Sequence, residues 1–155
     1  MNKCIFAGSF DPITLGHVDV INRSLKIFDK CIVAVGKNVG KKSLLSDEEK
    51  VLLIKKTFEK NPNVEVILYD GFTGELCRKL GVKSIVRGVR NSKDFDYEFS
   101  IDIVNKKLFP EIETIYLATR QENLHISSSF VREILAFNGD IEMFVPKCVN
   151  DFFKK

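Results

Sequence analysis

Apolar and polar positions along this chain follow two alternating patterns. Short continuous apolar runs recur, including Cys4-Ile5-Phe6-Ala7, Cys31-Ile32-Val33-Ala34-Val35 and Thr114-Ile115-Tyr116-Leu117-Ala118. Runs of this length, rich in β-branched residues, predict strands buried on both faces. They fall at 3–8, 31–35, 64–69, 83–87 and 114–118. Between them, apolar residues recur three and four apart, as in Val18, Ile21, Leu25 and Phe28. That spacing predicts helices over 17–28, 46–60, 72–80, 91–109 and 128–137.

The punctuation supports the same division. Ser46-Asp47-Glu48-Glu49 has the capping-box form, and Pro62 closes the helix it opens. Gly81 stands where a left-handed helix cap is wanted, Pro110 stops the fourth helix and Asn138-Gly139 ends the fifth. The tail from Asp140 reads as two short helical pieces broken by Pro146, and 37–45 as a polar loop with Lys37, Lys41 and Lys42. Phe95 and Phe99, four apart on the fourth helix, are expected in the core. Strands alternating with helices through short connections predict an α/β fold. The architecture expected is a doubly wound five-stranded parallel sheet of Rossmann-like form, a single domain over 1–155.

Composition narrows this picture only a little. A net charge of +3 over 155 residues fits a local anion site and does not call for nucleic acid. No run approaches the ~20 apolar residues of a membrane span. The N-terminus passes directly into a strand, without a signal-peptide pattern. Cys4, Cys31, Cys77 and Cys148 lack metal-ligand spacing and are expected as small buried hydrophobes in a reducing cytoplasm.

The candidate chemistry lies where strands hand over to helices. The first junction holds Gly8-Ser9-Phe10-Asp11-Pro12-Ile13-Thr14-Leu15-Gly16-His17, a Gly- and Pro-containing turn with a hydroxyl and an imidazole. The second holds Lys37, Lys41 and Lys42; the third Gly71, Thr73 and Gly74. The fourth holds Arg87-Gly88-Val89-Arg90 with Asp94, Asp96, Tyr97 and Glu98 behind it, and the fifth Ile126-Ser127-Ser128-Ser129. A parallel sheet brings all five to one edge, where ligands bind. Cations, hydroxyls and helix N-termini gathered there suit phosphate groups. Each residue also has a plainer reading: the lysines as a solvated loop, the serines as caps, Glu98 as a helix-face charge. His125 either contacts a ligand or packs and points to solvent. Both histidines of the chain, His17 and His125, fall at junctions, which favours function for His17. There is no Gly-x-x-x-x-Gly-Lys-Ser/Thr loop, no Gly-x-Gly-x-x-Gly and no hydrolase elbow, which argues against P-loop kinases, dinucleotide redox enzymes and serine hydrolases.

The decapeptide at 8–17 resembles the first signature of the nucleotidyltransferases with an (H/T)-x-G-H motif. Arg87-Gly88-Val89-Arg90, then Asp94-Phe95-Asp96-Tyr97-Glu98, and Ile126-Ser127-Ser128-Ser129 resemble one branch of that superfamily, the bacterial phosphopantetheine adenylyltransferases. The likeness spans residues 3 to about 147. It implies adenylyl transfer from ATP to 4′-phosphopantetheine, giving dephospho-coenzyme A and pyrophosphate, with Mg2+ arriving on ATP, in a cytoplasmic homohexamer. By motif, Ser9, Lys41, Thr73 and Arg87 would contact phosphopantetheine. ATP would be met by Ser9, Phe10, His17, Gly88, Val89, Arg90, Glu98 and the segment Asn123, Leu124, His125, Ile126, Ser127, Ser128 and Ser129. His17, Lys41 and Arg90 would carry the catalysis. Asn123-Leu124-His125 departs from the branch in lacking its aromatics. The alternatives are a relative acting on another phosphorylated acceptor and a non-catalytic nucleotide-binding module.

Overall fold

A computed structural model describes residues 1–37, 40 and 42–154. Five strands, β1 (Lys3–Gly8), β2 (Lys30–Gly36), β3 (Val64–Tyr69), β4 (Ser84–Val89) and β5 (Glu113–Ala118), form one parallel sheet in the order β3-β2-β1-β4-β5. The helices are α1 (Leu15–Ser24), α2 (Asp47–Thr57), α3 (Thr73–Leu80), α4 (Ser92–Leu108), α5 (Ser128–Ala136) and α6 (Lys147–Phe153). The predicted doubly wound sheet is what forms.

The alternation of side chains along each strand explains why the runs carry no polar gaps. Cys4 and Phe6 of β1, with Cys31, Val33 and Val35 of β2, point into one core with Val20 and Ile21 of α1, Leu53 and Ile54 of α2, Val131 of α5 and Val149 of α6. Ile5 and Ala7, with Ile32 and Ala34, point into a second core with Cys77 of α3 and Phe109. A strand covered on both faces must be apolar at every position. Of the four cysteines, all free thiols, Cys4, Cys31 and Cys77 are buried, whereas Cys148 is only partly so.

Caps set the helix boundaries. Ser46 and Glu49 close their capping box reciprocally, and Gly81 ends α3 at φ 64°. Four expectations need correction. β4 runs on to Val89, because Arg87, Gly88 and Val89 pair with Tyr116, Leu117 and Ala118 of β5; Arg87 therefore lies inside the strand. α1 starts two residues earlier and ends at Ser24. The tail holds one helix, after Pro146, and the stretch before it is turns. Phe95 and Phe99 are not core: α4 has no buried residue, and the two rings stack on each other at 5.6 Å in exposed positions.

The strand order reverses between β1 and β4: the chain winds outward through β2 and β3, then returns beside β1. Such a switch point opens a crevice at the carboxyl ends of the two strands.

Candidate active site

That crevice is a cavity of about 250 Å³. The end of β1 contributes Phe6, Ala7 and Gly8, the turn after it Ser9, Phe10 and Thr14, α1 contributes Gly16, His17 and Val20, and β4 with its following residue contributes Arg87, Gly88 and Arg90. Glu98 of α4 and Thr119 past β5 complete the wall. The turn is held hard in place. Phe10 adopts φ 48°, costly for a residue with a bulky side chain, and its buried ring meets Phe6 at 5.6 Å and the imidazole of His17 at 5.1 Å.

His17 is oriented by the cap of its own helix. Thr14 caps α1, its Oγ1 accepting from the His17 N–H at 3.4 Å, while the Thr14 N–H donates to Nδ1 of His17 at 3.0 Å. A nitrogen that accepts from a backbone N–H carries no proton, so the imidazole proton sits on Nε2. Burial, and after it the charge of Arg90, push the imidazole down from its ordinary 6.5 to about 4. At neutral pH His17 is therefore an uncharged Nε2–H donor of fixed orientation.

Two arginines bring the positive charge. Arg87 donates from Nη1 to the Ala7 carbonyl at 2.9 Å, and its Nε lies 3.3 Å from Glu98 Oε2. A strand arginine whose guanidinium is tied to the neighbouring strand's carbonyl and to one carboxylate is settled without deep burial. Arg90 is held by Asp94, Nε to Oδ2 at 2.9 Å.

Two distant segments converge behind the turn. The buried Asp11 carboxylate accepts from the N–H groups of Leu44 and Leu45, each at 2.9 Å. The Asp11 carbonyl accepts from Arg132 Nη1 at 2.7 Å, and the Pro12 carbonyl accepts from Ser128 Oγ at 2.8 Å. Ser127 caps α5 by accepting from the Phe130 N–H at 3.1 Å, and Ser129 Oγ accepts from Arg132 Nη2 at 3.2 Å. The three serines thus play three separate roles: a cap, an anchor onto the first turn and a partner for an arginine.

A second cavity of about 410 Å³ lies on the other side of Arg87. Phe72, Thr73, Tyr97, Ile101, Val104 and Asn105 are among its walls, so α4 lines both cavities and Arg87 stands between them. Thr73 Oγ1 lies 2.9 Å from the Tyr69 hydroxyl.

Of the residues singled out in the sequence, Ser9, Phe10, His17, Arg87, Gly88, Arg90 and Glu98 meet in the first cavity. Thr73 faces the second. Val89 and the segment Asn123, Leu124, His125, Ile126, Ser127, Ser128 and Ser129 line neither. His125 is exposed, its ring 6.0 Å from that of Phe144. Lys41 lies outside the described residues. Sequence reasoning missed Asp11, Arg132, Thr119 and the apolar wall of α4. Thr14, three residues before His17, had a readable signal in the capping spacing. Asp11 and Arg132 had none, because their partners are remote in the chain.

Comparison with known proteins gives the family and the fold. Residues 5–134 match the cytidylyltransferase-like family model. A phosphopantetheine adenylyltransferase of Flavobacterium psychrophilum is 48% identical over 96% of this chain and 98% of its own. One of Leuconostoc citreum is 47% identical over 100% of this chain and 98% of its own, and one of Dictyoglomus thermophilum 42% identical over 96% and 91%. A solved structure from Vibrio parahaemolyticus, described provisionally as a nicotinate-nucleotide adenylyltransferase, shares the fold over the whole of both chains with a TM-score of 0.69 at 18% identity.

Proposed function

The chain belongs to the phosphopantetheine adenylyltransferases of the cytidylyltransferase-like family, and on that premise we propose how its two cavities carry out the reaction. The enzyme transfers the adenylyl group of ATP to 4′-phosphopantetheine, giving dephospho-coenzyme A and pyrophosphate, in the biosynthesis of coenzyme A. The observation that carries our assignment is the position of Arg87, on the wall shared by a small polar cavity and a larger, mostly apolar one. A phosphate at Arg87 lets the pantetheine arm run along Phe72, Tyr97, Ile101 and Val104. The same phosphate then faces His17 across the first cavity.

The nucleophile is an oxygen of the acceptor phosphate, already an anion at neutral pH, so no general base is needed. It attacks the α-phosphorus of ATP, and the bond to the bridging oxygen of pyrophosphate breaks. The barrier comes from bringing two anions into line and from charge growing on the α- and β-phosphates. Positioning and preorganised donors meet that need. The Nε2–H of His17 donates to an α-phosphate oxygen. In the first turn of α1, the Leu15 N–H is taken by the Phe144 carbonyl and that of His17 by Thr14, leaving the N–H of Gly16 at the cavity wall for the same phosphate. Arg90 grips the β- and γ-phosphates. Ser9 reaches both substrates, Lys41 bridges the acceptor phosphate and the reacting centre, and the 123–129 segment, anchored to the first turn through Ser128, supplies further nucleotide contacts.

Nucleotidyl transfer from ATP uses a divalent cation with the triphosphate, which we take to be Mg2+. Among the described residues no three His, Cys, Asp or Glu side chains converge as a metal site. We infer that the cation enters on the phosphates of ATP. Among the described residues no helix is long and apolar enough to cross a membrane. We read the protein as a single nucleotidyltransferase domain in the cytoplasm, its free cysteines being suited to a reducing compartment. A homohexamer gives the exposed Phe99 and Ile103 of α4, Phe130 of α5 and Phe137 just after it a place to be covered.

The test is an acceptor panel read by pyrophosphate release. Release from ATP should require 4′-phosphopantetheine and be absent with nicotinate mononucleotide or glycerol phosphate. Release with one of those, and none with 4′-phosphopantetheine, would overturn the assignment.

A further inference from the structure

Arg90 is the one cavity-wall arginine whose guanidinium is gripped along an edge. Its Nε donates to Asp94 Oδ2 at 2.9 Å and its Nη2 reaches Asp94 Oδ1 at 3.4 Å. The Arg90 backbone N–H donates to the same Oδ2 at 3.3 Å. Asp94 is itself fixed, its N–H donating to the Oδ1 of Asn91, the cap of α4, at 3.0 Å. One carboxylate thus ties together the main chain and the side chain of Arg90 just where β4 becomes α4.

The fork contact consumes the Nε and Nη2 edge and leaves Nη1 without a partner among the described residues. Arg90 lines the cavity that holds His17, and Asp94 does not. Arg87 presents the opposite case: its carboxylate partner Glu98 stands on the cavity wall, where an arriving anion meets it directly. An unsupported arginine spreads over many rotamers, and fixing it when the ligand arrives costs entropy. A guanidinium already held along one edge from outside the cavity meets the ligand with its orientation set.

We propose that Asp94 is a positioning residue for adenylyl transfer: it presents the free edge of Arg90 to the triphosphate and stays paired while the nucleotide is bound. The proposal rests on the reading of Arg90 as a triphosphate contact. Its opposite is that Asp94 competes with phosphate for Arg90.

The test is steady-state pyrophosphate release with ATP and 4′-phosphopantetheine varied in turn, for wild type, D94N, D94E, R90A and the double variant R90A/D94N. D94N should raise KM for ATP and lower kcat, together costing roughly 10- to 100-fold in kcat/KM for ATP, the scale of a misplaced contact. KM for 4′-phosphopantetheine should stay within about twofold, and in the R90A background D94N should cost no more than about twofold further. D94E, which keeps the charge, should recover part of the loss, and it serves alone if D94N does not fold. Tighter ATP binding in D94N would show competition and overturn the proposal. An equal loss in both backgrounds would overturn it as well, since Asp94 would then act independently of Arg90. If R90A itself left ATP kinetics unchanged, the Arg90 assignment and this proposal would fall together. Wild-type kinetics in D94N beside a crippled R90A would remove Asp94 alone.

Discussion

Acidification should reach His17 in the unfolded chain before it reaches the folded one. The folded imidazole is held down to about 4, against an ordinary 6.5, by burial and then by Arg90. Between those values the unfolded chain binds a proton that the native state refuses, so stability falls as pH drops through this window. It is fully present above 6.5 and fully lost below the folded value of about 4. The whole difference amounts to about 3 kcal/mol, most of which is lost by about pH 4.5. Carboxylates titrate in the same range, so the comparison must be with a variant lacking only this group. His17→Gln is suitable: a glutamine at this position still accepts from the Thr14 N–H as in an ordinary capping box, and does not titrate. Urea unfolding at about pH 7.5 and about pH 4.5 should show wild type losing roughly 2–3 kcal/mol more than His17→Gln. With two histidines in the chain, the His17 ring resonance is assignable by its absence from the variant. It should not titrate above about pH 5. Equal losses in the two proteins, or a His17 midpoint near 6.5, would refute the picture of an imidazole kept neutral by burial.

Other outcomes follow from particular contacts. Asp11→Ala strands the N–H groups of Leu44 and Leu45, at about 1–3 kcal/mol each, so urea denaturation should show a loss of roughly 2–6 kcal/mol. A change under about 1 kcal/mol would mean that water replaces the carboxylate. A Cβ on the buried Gly74 would overlap the Phe109 ring. Gly74→Ala should therefore lower stability by about 1–3 kcal/mol, and Phe109→Leu in the same chain should restore part of it; no recovery would place the strain elsewhere. Arg87→Ala should weaken calorimetric binding of 4′-phosphopantetheine roughly 10- to 100-fold, the worth of a hydrogen bond to a charged group, with ATP binding little changed. Unchanged 4′-phosphopantetheine affinity would sink the assignment of the acceptor phosphate to Arg87.

Much of the fold is legible in local sequence because its causes are local. Cys31 to Val35 must be apolar throughout, being covered on both faces, and Ser46 and Gly81 mark helix ends through the cap geometry each favours. What local pattern could not show depends on partners far along the chain. β4 continues through Arg87 to Val89 because β5 offers ladder partners there, although a charge and a glycine look like a strand's end. Phe95 and Phe99 sit four apart as core residues do, yet both stay exposed: α4 meets the sheet only at its rim, through the Phe95 ring edge-on to Tyr116 of β5 at 5.1 Å and Glu98 on Arg87. In the site, His17 and the arginines stood out because ionisable residues at junctions are unusual. Asp11 looked like an ordinary turn residue, since nothing near it reveals that its carboxylate binds the chain 33 and 34 residues away.

The central claim is that a neutral, cap-oriented His17 donates to the α-phosphate as charge develops there. Turnover of His17→Ala at saturating ATP and 4′-phosphopantetheine tests it most directly. Loss of one preorganised donor should lower kcat by roughly 10²–10³ while substrate affinities change far less. Turnover within about threefold of wild type, or a loss confined to KM, would contradict it.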